Sequence, residues 1–304
     1  MIYLKDFKYK LLIIILLLTS VESCRKNSDN EPTELHPFED NQGVFEYTLY
    51  EPLKDKPFSI HFYIPNNVDK KSAPILFVFP GMNRNADDYL NAWINLADQY
   101  NFMVFSFEFS NLYYPGSISY QQGYIVDDNG NLMDEESWTF SAIEPVFDFI
   151  KSELDYQLNY YNIFGHSGGA QFVHRYIQFK PLSRVSRAVA ANSGWYTLPD
   201  TSVAYPYGLK NTGLNSIHVE NSFQKQLEIH LGQSDNDPND PSLRKTPEAN
   251  LQGLHRLDRG RYFIQKSDTI SNSLNVNLNW IKKEVPNVAH DYQNMSIFAA
   301  DELF

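Results

Sequence analysis

Residues 164–169 read Phe-Gly-His-Ser-Gly-Gly, which sets Ser167 in a G-x-S-x-G pattern. The pattern has chemical meaning where a strand turns sharply into a helix, because that turn pushes the serine hydroxyl clear of the backbone. Residues 160–164 read as a strand and 168–179 as a helix, so the context is met. A serine hydroxyl is a weak nucleophile at neutral pH and needs a base, which in turn needs an orienting acid. Five histidines follow Ser167: His174, His218, His230, His255 and His290. His174 and His255 fall in helices, His230 in a strand and His218 in an insertion. Only His290 follows the final strand in a loop, where it can reach the same sheet edge as Ser167. The acid should end the preceding strand. Gly232 closes that strand, and Asp235 stands three residues later, with Asp237 as the alternative. The run Asp235–Asp240 half-matches a calcium loop but lacks its glycine and terminal glutamate, so it reads as a turn. An oxyanion needs two donors. The amide of Gly168 follows the nucleophile directly, and the loop after the first buried strand offers the amide of Met82.

Such a constellation must be held by a scaffold of strands and helices. Residues 44–50 and 58–64 alternate apolar and polar side chains, as half-buried strands do, and the short link between them suggests an antiparallel pair. Residues 74–80 form a continuous apolar run, typical of a strand buried on both faces. Residues 85–97 show helical spacing through Tyr89, Trp93, Leu96 and Ala97. The alternation continues: strand 102–107, helix 138–150, strand 185–191, strand 227–231, helix over much of 247–264, strand 278–285 and helix 291–304. This order predicts an α/β domain with a mostly parallel central sheet and helices on both faces. Two long connections stand out, near 110–136 and 196–223. Tyr113 and Tyr114 in the first, with Trp195 and Tyr196 at the second, either contact substrate or pack the insertions onto the body.

The N-terminus reads differently. Lys5, Lys8 and Lys10 precede an apolar run at residues 11–18, too short to span a bilayer but suited to a secretory signal peptide. Val21-Glu-Ser-Cys24 follows and resembles the lipobox of bacterial lipoproteins, although Glu22 departs from its usual small residue. Val21 and Ser23 also suit an ordinary signal-peptidase cut before Cys24. The expected organisation is a signal peptide at 1–23, a polar tether at 24–43 and an α/β domain at 44–304. Either Cys24 carries lipid and anchors the exported protein to a membrane, or the protein is periplasmic or secreted. Cys24 is the only cysteine, so no internal disulfide can form. The 304 residues carry 25 Lys+Arg against 37 Asp+Glu, a net charge of −12, which argues against a nucleic-acid partner. Nothing in the residue pattern calls for a cofactor or a metal.

From residue 58 to 304 the chain resembles the α/β-hydrolase superfamily, and within it secreted esterases of the polyhydroxyalkanoate-depolymerase and feruloyl-esterase type. The residues that carry the resemblance are Pro80-Gly-Met82, Gly165-His-Ser-Gly-Gly169, Gly232-Gln-Ser-Asp235 and Val288-Ala-His-Asp291. Pro80 departs from the histidine that many members have there. The resemblance implies Ser167 as nucleophile, His290 as base and Asp235 as its orienter. For an exported esterase with aromatic insertions, the expected substrate is a small-molecule or polysaccharide-linked ester. Two rivals are a serine peptidase with the same triad and a surface binding lipoprotein on an inactive scaffold.

Overall fold

The computed structural model describes residues 36–304. The expected signal peptide, Cys24 and most of the tether lie outside the described residues. The chain divides into two units, residues 1–36 and 37–304. In chain order the second unit runs β1 (Gln42–Tyr47), β2 (Phe58–Tyr63), β3 (Ile75–Phe79), α1 (Ala86–Tyr100), β4 (Met103–Glu108), α2 (Ile143–Leu154), β5 (Tyr161–His166), α3 (Gly168–Phe179), β6 (Val185–Ala191), α4 (Ser216–Phe223), β7 (Gln226–Gly232), α5 (Pro247–Gln252), α6 (Arg256–Leu274), β8 (Trp280–Val285) and α7 (Tyr292–Leu303). The eight strands form one sheet in the order β1-β2-β4-β3-β5-β6-β7-β8. β1 pairs with β2, and β2 with β4, antiparallel. The remaining pairs are parallel.

The unbroken apolar run of β3 is explained by its two covered faces. Leu76 and Val78 point to one side and pack with Trp93 of α1 and with Met295 and Ala299 of α7. Phe77 and Phe79 point to the other. Phe77 meets Phe147 of α2 edge-on, and Phe79 stacks on Phe172 of α3 with ring centroids 4.3 Å apart. Each fully buried phenylalanine of this kind contributes about 2 kcal/mol through area removed from water. Parallel order brings the carboxyl ends of β3, β5, β6, β7 and β8 to one edge of the sheet, where their loops can converge.

Two boundaries differ from the sequence expectation. Phe38 lies inside the stretch read as tether, yet it is buried against Phe45, Phe62 and Phe105. The packed body therefore starts at Phe38 rather than at residue 44, because one aromatic ring in a polar stretch is enough to fix the chain. The helix expected over 247–264 is two helices. Gly253, at φ 142°, breaks it, and His255 caps the second helix by accepting from the Asp258 amide. No helix among the described residues is long and apolar enough to cross a membrane.

Candidate active site

Ser167 occupies the turn between β5 and α3 with φ 57° and ψ −112°, a conformation that L-residues rarely adopt. The glycines around it make the turn feasible. A Cβ on Gly169 would lie 1.9 Å from the Phe79 carbonyl oxygen, and one on Gly165 would lie 2.2 Å from that of Gly169. Helix and strand thus approach more closely than any side chain would permit. The Ser167 amide donates to the Ala191 carbonyl at 2.9 Å, which fixes the turn to β6.

His290 lies in the loop after β8. Its Nε2 is 2.9 Å from Ser167 Oγ, and its Nδ1 is 2.7 Å from Asp235 Oδ2. Asp235 is buried at 5% exposure, whereas Asp237 is exposed and accepts from the Asn239 amide in a turn. The geometry therefore places Asp235, and not Asp237, against the imidazole. Two devices bring these loops together. A Cβ on Gly232 would lie 2.5 Å from the Val288 carbonyl, so the glycine lets the His290 loop close onto β7. Asn192, at the end of β6, accepts from the Gly232 amide at 2.7 Å and donates to the Ala289 carbonyl at 2.9 Å. One side chain thus braces the Asp235 loop against the His290 loop.

The Met82 amide nitrogen lies 2.9 Å from where a Cβ on Gly168 would stand, and the side-chain amide of Gln121 lies 2.7 Å from the same point. The loop after β3 therefore runs against the first turn of α3, beside the serine. Tyr89 of α1 holds this loop by hydrogen-bonding the Gly81 backbone and His166 Nδ1, the latter at 2.9 Å. His166 is buried, with its ring centroid 4.6 Å from that of His290. Burial pushes its pKa well below the usual histidine range, helped by His290 and Arg256, which favours its neutral form. The other histidines have structural partners. His174 contacts the Ala170 carbonyl and the Thr197 amide, His230 contacts Glu228, and His218 belongs to the capping box of α4.

The chain is 40% identical to poly(aspartic acid) hydrolase-1 from Sphingomonas sp. KT-1, over 86% of this chain and 97% of that one, with a TM-score of 0.83. This chain belongs to the α/β-hydrolase family. It is 29% identical to LpqC, poly(3-hydroxybutyrate) depolymerase from Bordetella parapertussis, over 88% of this chain and 92% of that one, also at a TM-score of 0.83. S-formylglutathione hydrolase from Agrobacterium tumefaciens, 16% identical at a TM-score of 0.57, shares the fold. No family model matches the chain, and neither does any curated protein sequence.

In this α/β-hydrolase a cleft of about 200 Å³ opens beside the serine, lined by Met82, Gln121, Ser167, Gly168, Trp195 and Arg244 among others. A larger apolar cleft of about 430 Å³, around Trp138, Phe179 and Leu214, contains none of the three triad-like residues. Of the four aromatics proposed from sequence as substrate contacts, Trp195 lines the cleft beside Ser167. The other three do not. Tyr114 is buried, donates to the Lys56 carbonyl and packs edge-on against Phe109. Tyr196 is buried and stacks on Phe263. Tyr113 is partly exposed in a turn outside the cleft. Tyrosines in these insertions mainly pack them onto the body, which spacing alone could not distinguish from ligand contact.

Sequence reading missed Gln121, Arg244 and Arg256. Arg256, the first residue of α6, donates from one nitrogen to Asp235 Oδ1 at 3.0 Å and Asp240 Oδ2 at 2.8 Å, and from another to Ser242 Oγ at 2.6 Å. Its hydrogen bond holds the Asp240 carboxyl well below the usual carboxylate range. The acidic run 235–240 is thus occupied by a guanidinium and by its own turns.

Proposed function

We propose that this α/β-hydrolase cleaves carboxylic esters through Ser167, His290 and Asp235. The observation that supports it best is the unbroken chain of contacts from Ser167 Oγ through the imidazole to a buried carboxylate, with separations of 2.9 and 2.7 Å. Ser167 Oγ attacks the acyl carbon while His290 takes its proton, and the carbonyl oxygen becomes an oxyanion facing the amides of Met82 and Gly168. The bond from the acyl carbon to the leaving oxygen then breaks, and His290 returns the proton to that oxygen. A water molecule repeats the sequence on the acyl-serine, releasing the acid and restoring the hydroxyl. Asp235 holds the imidazole in the tautomer with Nδ1–H and stabilises its charged form. Each oxyanion donor of this kind is worth about 3 kcal/mol in the transition state.

A second reading, hydrolysis of an amide by the same residues, is favoured by the 40% identity to a poly(aspartic acid) hydrolase. A small-molecule or polysaccharide-linked ester remains the substrate inferred from sequence. The basic flank and apolar run before Cys24 support export, with lipid on Cys24 as the anchor. Replacing Ser167 with Ala should reduce kcat on a para-nitrophenyl ester by a factor of about 10⁴ or more while the melting temperature holds. Turnover by Ser167→Ala at the wild-type rate would overturn the assignment.

A further inference from the structure

The cleft beside Ser167 differs in charge from the rest of the molecule. The chain has a net charge of −12, yet the cleft lining includes Arg244 and Arg256 and no carboxylate. Arg256 is neutralised by Asp235 and Asp240. Arg244 is not. Its Nε donates to the Tyr207 hydroxyl at 2.8 Å, and its guanidinium lies 4.7 Å from the centre of the Trp195 ring. These two contacts hold the group in place, and its two terminal nitrogens have no acceptor among the described residues. Arg175 lies 4.2 Å from the same indole. Its hydrogen bonds go to Thr197, Gln121 and Gln171, none of them a carboxylate, and its Nη2 is buried without a partner. Arg259 bonds the carbonyls of Gly194 and Arg244 and likewise meets only neutral oxygens. Burial lowers the pKa of Arg175 to about 10 and lowers that of Arg259, but both stay charged at neutral pH.

Three arginines without a carboxylate partner therefore stand behind or along one wall of a small cleft. Uncompensated buried cations are costly, and such an arrangement is stabilised when an anion binds. A guanidinium fixed by stacking, with one edge free, presents the paired donors that suit a carboxylate. We propose that Arg244 is the receptor for a carboxylate carried by the substrate a few bonds from its scissile carbonyl. This deepens the reading of Ser167 as nucleophile and rests on it, since the receptor is defined by the cleft they share. The preferred substrate class is then an ester or amide of an acid that bears a second, ionised carboxyl group.

The test compares the mono-para-nitrophenyl ester of adipic acid with para-nitrophenyl hexanoate, which ends in a methyl where the first has a carboxylate. The wild-type ratio of kcat/KM should favour the adipate ester, and rising salt should erode it. Arg244→Met should lower that ratio by about tenfold to a hundredfold, the range for a hydrogen bond to a charged group. Arg244→Lys, which keeps the charge but not the fork, should recover part of it. A wild-type ratio with no preference, or a ratio unchanged in folded Arg244→Met, would overturn the proposal. A calorimetric titration of Ser167→Ala with adipate separates the two readings. Binding that disappears on adding Arg244→Met supports the anion site, even if Ser167→Ala proves to retain turnover and the nucleophile assignment fails. Absence of adipate binding counts against the site.

Discussion

Ser167 can be found from sequence because its signal is local: a glycine, a serine and two glycines at fixed spacing between an apolar strand and a helix. His290 emerges by elimination, since the pattern reads each other histidine after Ser167 as part of an element or an insertion; His255 proves to be a helix cap. Arginine offers no such signal. Arg175 on a helix and Arg256 at a helix start look like ordinary surface charges, yet both are nearly fully buried. Only tertiary packing brings the first under Trp195 and the second behind Asp235. The buried histidines carry a separate consequence at this scale. Burial pushes His166 and His174 well below the usual range, which favours their neutral form in the folded chain. Unfolded, each takes up a proton near pH ~6.5. Below that pH the unfolded state binds more protons, so stability falls, by up to about 1.4 kcal/mol per pH unit for each histidine. The urea midpoint should therefore drop between pH 7.5 and 5.5. A midpoint that stays level or rises over that interval would show that these side chains accept protons without unfolding.

At the level of elements, periodicity reads well where burial is regular. The all-apolar β3 and the striped α1 were legible because every residue, or every turn, faces the same surroundings. The loops were not, since their order comes from individual braces. Asn192 joins the loops after β7 and β8, and Arg256 joins α6 to the loop that carries Asp235, Asp240 and Ser242. Arg256 also places a positive charge against the Asp235 carboxylate, which contacts His290. Arg256→Met would break this buried pair and should cost about 3 kcal/mol or more in stability, read from the urea midpoint. A midpoint that stays at the wild-type value would show that the pair does not hold the loop.

Over the whole molecule, net charge and site charge have opposite signs. The formal balance of −12 argues against an anionic substrate only as an average, and screening confines that average to long range. Within the cleft, the guanidinium of Arg244 is nearer and less screened than the surface carboxylates. The sheet order makes this separation workable. It gathers the ends of β3, β5, β6, β7 and β8 at one edge, where Met82, Ser167, Asn192, Asp235 and His290 each arrive on a different loop. The most direct measurement of the catalytic role is labelling of the intact protein with a fluorophosphonate, followed by mapping of the modified peptide and assay of the remaining esterase activity. The expected result is a single phosphonyl group on Ser167, with activity lost in step with its incorporation. Activity that persists once Ser167 is fully modified, or that disappears with the label on another residue, would contradict the assignment of Ser167 as the nucleophile.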